Sequence, residues 1–399
     1  MRIFNSLGSN YNSYYLLRGF FNVFNENKNN KLKSLLEKKY NGKVIFYYKG
    51  REAIEVALRI LSLPKNSYVA INGLTCLVVD KAVTNAGYKC QYLDIGEDLN
   101  FSPNSLHKAL IINSNIKAVI VQNTLGIPVD IQKIKKICDD NQLVLIEDLA
   151  HCAGTVYGDG GLAGTIGDFT VLSFSQDKII DSVSGGALII RNKKYLDKIA
   201  KTKKKNIPIT WIIRDILYPK FTFIIRNLYY LNIGKVIHRL LRISNLLSIP
   251  IDLNVNNLHN LPKWYINMAY DYIINLDFDL IHRKKISKIY SDNLNNNIIA
   301  KDIITKLNKS TNIRFPIFAK NRNKLVKYLE HGGIYISDIW YDSPVAPLKF
   351  QSISNYKKGT CSNAEKLSEL ILNLPTHKNI NENEALNISK LINKWITTQ

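Results

Sequence analysis

From Arg51 to Leu61 the apolar positions of REAIEVALRIL fall at Ala53, Ile54, Ala57, Leu58 and Leu61, which share one face of an amphipathic helix entered through Gly50. Downstream, the short apolar runs SYVAI, KCQYLDI, KAVIVQN, QLVLIED, FTVLSFS and GALIIRN alternate with helical stretches such as LVVDKAVTNAG and IQKIKKICDDN. Runs that are Val-, Ile- and Leu-rich on both sides predict strands buried on both faces, and alternation with helices predicts an α/β domain built on a mainly parallel sheet. Between Trp211 and Ile249 the pattern turns aromatic and aliphatic, broken by Arg214, Lys220, Arg226, Lys235, Arg239 and Arg242 against a single acid, Asp215. It predicts two or more amphipathic helices within residues 207–250. From Lys263 one long helix is predicted to about Asn296. TNIRFPIFAK then reads as a strand, NRNKLVKYLEHGG as a helix closed by glycines, and AEKLSELILNL and ENEALNISKLINKWI as two further helices. The resulting division is a large α/β domain over residues 1–250 and a smaller C-terminal α+β domain over 251–399.

Composition changes this picture little. The chain has 399 residues, 46% hydrophobic content and a formal charge of +22. A basic surface attracts nucleic acid, acidic lipid or phosphorylated ligands. Here Lys, Asn and Ile are abundant along the whole chain, so a biased composition accounts for the charge. No nucleic-acid motif accompanies it, and no nucleic-acid partner is expected. Cys76, Cys90, Cys138, Cys152 and Cys361 form no CxxC pair, which argues against a disulfide framework and a zinc site. The start, MRIFNSLGSNYNSYY, lacks the charged and apolar regions of a secretion signal, and no apolar run is long enough to span a membrane. The expected location is the cytoplasm.

The densest chemistry lies between Glu147 and Arg191. A strand ends in Glu147 and Asp148, and a loop carries His151. A glycine-rich stretch, GDGGLAGTIGD, precedes the strand FTVLSFS, followed by Gln176, Asp177, Lys178 and the pair Gly185 and Gly186. Open α/β sheets bind ligands at the carboxyl ends of their strands. Pyridoxal phosphate requires a lysine for covalent attachment, a carboxylate to keep the pyridine nitrogen protonated, and donors for its phosphate. Lys178 and Asp148 supply the first two. The Ser173 hydroxyl and the backbone N–H groups of Gly50 and Arg51, at a helix N-terminus, supply the third. Singly, each residue has a bland reading as a cap, a solvated lysine or a paired serine. Their order and spacing together point to one site.

The run IEDLAHCAGTVYGDGGLAGTIGDFTVLSFSQDKIIDSVSGGALII resembles the heart of the DegT/DnrJ/EryC1/StrS family of sugar aminotransferases. Asp148, His151, Gly167 with Asp168, Ser173 with Phe174, Lys178, and Gly185 with Gly186 match the family's order. YKGREAIEVAL is similar to its phosphate-binding turn, and YLDIGEDLNFSPNSL, VQNTLGIPVDI and LILNLPTHKNINENEA extend the likeness over nearly the whole chain. The resemblance implies the fold-type I architecture: a large domain with a mainly parallel seven-stranded sheet and a smaller C-terminal domain. It also implies pyridoxal 5'-phosphate, a nucleotide-linked keto-sugar as acceptor, L-glutamate as donor, a role in surface glycan biosynthesis, and a homodimer with a shared active site. By the same resemblance His151 contacts the cofactor near its ring hydroxyl. Lys178 separates the chain from a dehydratase branch that carries histidine there.

The chain departs from the family in three places. Many members place an aromatic residue over the cofactor after a Thr, whereas Thr75 is followed by Cys76, which takes that cofactor-contacting position. The Asn-Tyr-Arg segment through which the partner subunit reaches the phosphate is not recognisable. Asn256, Asn257 and Lys263 are the candidates left in NVNNLHNLPKWYINMA. The segment 211–249 is larger and more basic than usual, which admits peripheral contact with an anionic membrane. Packing against the partner subunit or over the active site is favoured, because most amphipathic helices bury their stripe in protein. Two rivals stand outside transamination. One is a non-catalytic regulatory homologue. The other is a dinucleotide oxidoreductase suggested by Gly158, Gly160 and Ala163, but that fingerprint must open a helix and here it runs into a strand.

Overall fold

Residues 2–252 and 257–398 are described by a computed structural model. Seven strands form the central sheet: β1 (Lys43–Tyr47), β2 (Tyr68–Asn72), β3 (Lys89–Leu93), β4 (Ile116–Val121), β5 (Val144–Asp148), β6 (Phe169–Ser173) and β7 (Gly186–Ile190). Their spatial order is β1-β7-β6-β5-β4-β2-β3. β7 alone runs against its neighbours, antiparallel to both β1 and β6, while the remaining pairs are parallel. The six apolar runs read from sequence are all strands of this sheet. β1 is a seventh, whose KVIFY core lies between a lysine-rich helix and the turn at Gly50.

Helices cover both faces. They include α1 (Gly50–Leu61), α2 (Leu77–Asn85), α3 (Pro103–Ile112), α4 (Ile131–Asp140), α5 (Ile209–Leu228), α6 (Ile233–Ile243), α7 (Lys263–Ile273) and α8 (Leu276–Asn293). α1 is more deeply enclosed than a one-sided stripe predicts, because it packs on the sheet and on α2 together; of its twelve residues nine are buried, Glu52 among them. The single helix expected from Lys263 to Asn296 is two, broken at Ile274–Asn275. LILNL is not helical either. Its helix stops at Leu370, and Ile371–Pro375 forms a strand antiparallel to Arg314–Phe318, with every residue buried. A run apolar on both sides suits a strand sandwiched between layers better than a helix with a wet face.

Apolar side chains gather in two clusters. The larger surrounds the sheet and reaches Trp264, Tyr265 and Met268 of α7. The smaller joins Ile286 and Tyr290 of α8 to Phe315, Leu374, Ile388 and, from the start of the chain, Ile3. The latter is there because Ile3–Phe4 pairs in parallel with Ile334–Tyr335.

α5 and α6 lie in the basic segment, where two or more helices are expected. α6 turns Gly234, Ile237 and Leu241 inward, while Ile233, Val236, Leu240 and Ile243 are exposed. Among the described residues no helix is long and apolar enough to cross a membrane.

Candidate active site

Consecutive residues of a strand point to opposite faces, and β5 uses this to give two neighbouring acids different surroundings. The Glu147 carboxylate accepts hydrogen bonds from the N–H groups of Gly164 at 2.7 Å, Ile166 at 2.7 Å and Gly167 at 2.6 Å, and from the Tyr157 hydroxyl at 2.8 Å. The glycine-rich stretch therefore wraps an internal carboxylate. Its tip is a turn closed by the Val156–Leu162 bridge with no helix behind it, which removes the dinucleotide reading. Asp148, also buried, accepts one backbone bond, from Ala150 N–H at 3.0 Å, and faces a cavity of about 550 Å³. Burial pushes its carboxyl up to about 6, against the opposing effects of the Ala150 N–H and the Lys178 charge.

Lys178 enters the same cavity from the loop after β6. That loop is pinned by Asp181, whose carboxylate accepts from Asn10 Nδ2 at 2.9 Å, the Tyr11 hydroxyl at 2.6 Å, Val183 N–H at 3.0 Å and Asp177 N–H at 2.8 Å. The Lys178 amine stands 2.8 Å from His151 Nε2 and 4.3 Å from the Trp340 ring centroid. Burial holds it below its ordinary pKa; Arg314 adds to that effect and Asp148 opposes it. The His151 imidazole is held well below its usual range by burial and by the charges of Lys178 and Arg314, so it is neutral. Its Nδ1 accepts from Leu125 N–H at 3.4 Å and lies 3.1 Å from the Tyr341 hydroxyl, so the ring is held on one edge while its Nε2 edge faces the lysine. The indole of Trp340 stacks on this imidazole at 4.9 Å and 18°, and the Arg314 guanidinium lies 3.8 Å from the indole's centroid on a 2.9 Å bond to Asp338.

The remaining predicted residues line the same cavity. Gly50 and Arg51 open α1, whose N-terminus has no side-chain cap, and Ser173 ends β6 beside them. The two approach closely: a Cβ on Gly50 would sit 3.0 Å from that of Ser173. Cys76 begins the turn into α2. It supplies no ring; the aromatic side chain beside Lys178 is Trp340, contributed from the far end of the chain. Asn257 is exposed and Lys263 opens α7, and neither lines the cavity; Asn256 lies outside the described residues. Sequence reading also missed Lys49, Tyr341, and His238 and Arg242 of α6, which all reach the cavity. The WY pair in SDIWYDSP follows no periodic element and belongs to no motif, so only the fold brings it to residue 178.

A doubly covered, mainly parallel seven-stranded sheet, with a lysine and a buried acid at the carboxyl ends of its strands, has the architecture of the fold-type I aminotransferases. A Streptococcus pneumoniae protein, Spr1654, solved in its PLP form, superposes with a TM-score of 0.71 over 97% of both chains at 16% identity, which shows the shared fold. The chain belongs to the DegT/DnrJ/EryC1/StrS aminotransferase family, whose model matches residues 27–208 and 270–393. The stretch left between these two blocks holds α5 and α6. Among curated relatives, GDP-perosamine synthase of Vibrio cholerae is 29% identical over 159 residues, covering 40% of this chain and 42% of that protein. UDP-4-amino-4,6-dideoxy-N-acetyl-beta-L-altrosamine transaminase of Campylobacter jejuni is 24% identical over 344 residues, covering 84% and 80%.

Proposed function

We propose that this protein is a pyridoxal-phosphate-dependent aminotransferase that passes an amino group, with L-glutamate as donor, to a nucleotide-linked keto-sugar for glycan biosynthesis in the cytoplasm. The observation that carries the reading is the convergence of the Lys178 amine and the Asp148 carboxylate on one cavity. The residues fit the cofactor. A buried acid held up to about 6 with one hydrogen bond calls for a cation, such as a protonated ring nitrogen, and the uncapped N-terminus of α1 beside Ser173 calls for an anion. When bound, pyridoxal phosphate supplies an electron sink for the carbon that gains or loses the amino group.

The chain's own groups do the rest. Asp148 keeps the ring nitrogen charged. Lys178 would attach the cofactor, and its amine, held below its ordinary pKa, would accept and return the proton at the reacting carbon once the substrate's amine has displaced it. His151, with Nε2 at 2.8 Å from that amine, orients it and would contact the ring hydroxyl. Trp340 places its ring against the amine on one side. The two relatives, named as a GDP-perosamine synthase and a UDP-linked amino-sugar transaminase, support the substrate class. The exposed stripe Ile233, Val236, Leu240 and Ile243 suits burial against a second copy in a homodimer.

The test begins with the protein and pyridoxal phosphate. A visible absorption band that borohydride fixes onto Lys178 is expected, followed by its bleaching with L-glutamate and recovery with a keto-sugar nucleotide. A band that no amino acid bleaches would make the chain a non-catalytic binder. Fixation at another lysine removes the assignment of residue 178.

A further inference from the structure

Lys49 is 3% exposed, yet it lines the wall of the active-site cavity. It donates to Ser184 Oγ at 2.8 Å and lies 4.6 Å from the centroid of the Tyr48 ring. Among the described residues no carboxylate comes within ion-pairing distance of it. The acid whose field reaches it most strongly, Asp215, is occupied by the hydroxyls of Tyr48 at 2.8 Å and Tyr265 at 3.0 Å. A lysine buried without an acid is rare and costly. Burial, reinforced by the charges of Arg51 and Arg214, pushes this amine down to about 8.

Its surroundings repeat the pattern. Arg51, two residues on, gives Nη2 to the Asp252 carbonyl at 2.7 Å and leaves its buried Nε without a hydrogen bond. Between the two cations lies the N-terminus of α1, which adds partial positive charge and has no capping side chain. Two cations with no ion pair among the described residues, and a helix N-terminus beside one wall of a cavity, make a receptor for a compact, multiply charged anion.

We propose that Lys49 is a phosphate-binding residue that, with Arg51 and the start of α1, holds the phosphate of the cofactor from within the same chain. This rests on the pyridoxal-phosphate reading. Lys49 is the ion partner, Arg51 the second charge, and Ser184 holds the lysine extended toward the anion.

The experiment compares pyridoxal phosphate with pyridoxal, which has the aldehyde and ring but no phosphate, on the full chain and on Lys49→Met. Binding is followed by absorption and by the mass fixed on Lys178 with borohydride. Loss of one charged contact should raise the dissociation constant for pyridoxal phosphate by about 10- to 100-fold and leave that for pyridoxal within about threefold. The apo variant should melt at the parent temperature or higher, since it has lost an unpaired buried charge. Equal preference for the phosphorylated form in both proteins overturns the proposal. So does a variant that loses pyridoxal and pyridoxal phosphate alike while melting earlier, which marks a structural lysine. A parent protein that fixes neither compound on Lys178 defeats the cofactor reading as well; failure confined to the Lys49 comparison leaves it standing.

Discussion

Gly186→Ala tests how α1 is placed over the cofactor site. Gly186 opens β7, paired with Ser173 on one side and Tyr47 on the other. A Cβ there would lie 2.6 Å from Gly50 Cα, 2.7 Å from Gly50 N and 2.8 Å from the Leu172 carbonyl oxygen. All three are backbone atoms, so no side chain can rotate away. Ordinary contact begins near 3.4 Å, and the first turn of α1 must retreat from the sheet by about 0.8 Å. Overpacking of this kind costs about 1–3 kcal/mol. The same retreat carries the Gly50 and Arg51 N–H groups away from the phosphate position, where a misplacement of about 1 Å is worth on the order of a hundredfold in rate. Urea unfolding of the apo variant should show the stability loss, and titration should show pyridoxal phosphate weakened more than pyridoxal. Gly158→Ala, where an added Cβ meets nothing within 4 Å, is the control and should be near neutral. If Gly186→Ala kept parental stability and cofactor affinity, α1 would not abut β7 as described.

Three further substitutions separate the roles of the buried charges. Lys178→Ala should abolish transamination and borohydride-fixed cofactor while changing apo stability by less than about 1 kcal/mol, read by mass spectrometry and calorimetry; residual turnover would falsify the lysine assignment. For Asp148→Asn the sign follows from a folded-state value near 6 against the ordinary 3.8. Above pH 6 both folded and unfolded carboxyls are charged and burial penalises the fold by up to about 3 kcal/mol, a penalty relieved as pH falls from 6 toward 3.8. The apo variant should therefore be more stable than the parent at pH 7–8, converge with it near pH 4, and still turn over far more slowly when loaded. Equal stability at pH 8 would mean that Asp148 is solvated. Glu147→Gln should do the opposite, costing about 3 kcal/mol or more in chemical denaturation, because an amide NH₂ must face donors that had an acceptor, while fixation at Lys178 in the folded fraction persists.

Much of this site was legible along the chain because it is local. Asp148, His151, Ser173 and Lys178 fall within 31 residues, on two adjacent strands and the loops that leave their carboxyl ends, so strand periodicity alone brings them to one edge. Gly50 and Arg51 joined them through a helix N-terminus that sequence also marks. The misread elements were those whose surroundings come from distant parts of the chain. Ile371–Pro375 is a strand because Arg314–Phe318 lies alongside it, and nothing in LILNL announces that partner. The break at Ile274–Asn275 falls in a run with no proline or glycine, where α7 packs against the large cluster and α8 leaves it for the small one. Trp340 lies 162 positions from Lys178, in a loop whose register is set by the pairing of Val345–Ala346 with Thr75–Cys76.

Lys49 was passed over for a different reason: a lysine beside a glycine reads as solvated, and only burial exposes the anomaly. The same logic divides Glu147 from Asp148. Both are acids, adjacent, buried and at a strand end, and type and position alone assign them the same role. The count of donors separates them. Glu147 has four hydrogen bonds and the Arg191 guanidinium at 3.6 Å, a carboxylate whose charge is spent inside the protein. Asp148 has one bond and a raised pKa, and Lys178, whose charge opposes that rise, opens onto the same cavity. A buried acid with so few internal partners is stable as an anion only when something from outside completes it. The unsatisfied charges at Asp148 and Lys49 have opposite signs and line one cavity, so a ligand that completes both must carry a cation toward β5 and an anion toward α1. A protonated pyridine bearing a phosphate has that arrangement.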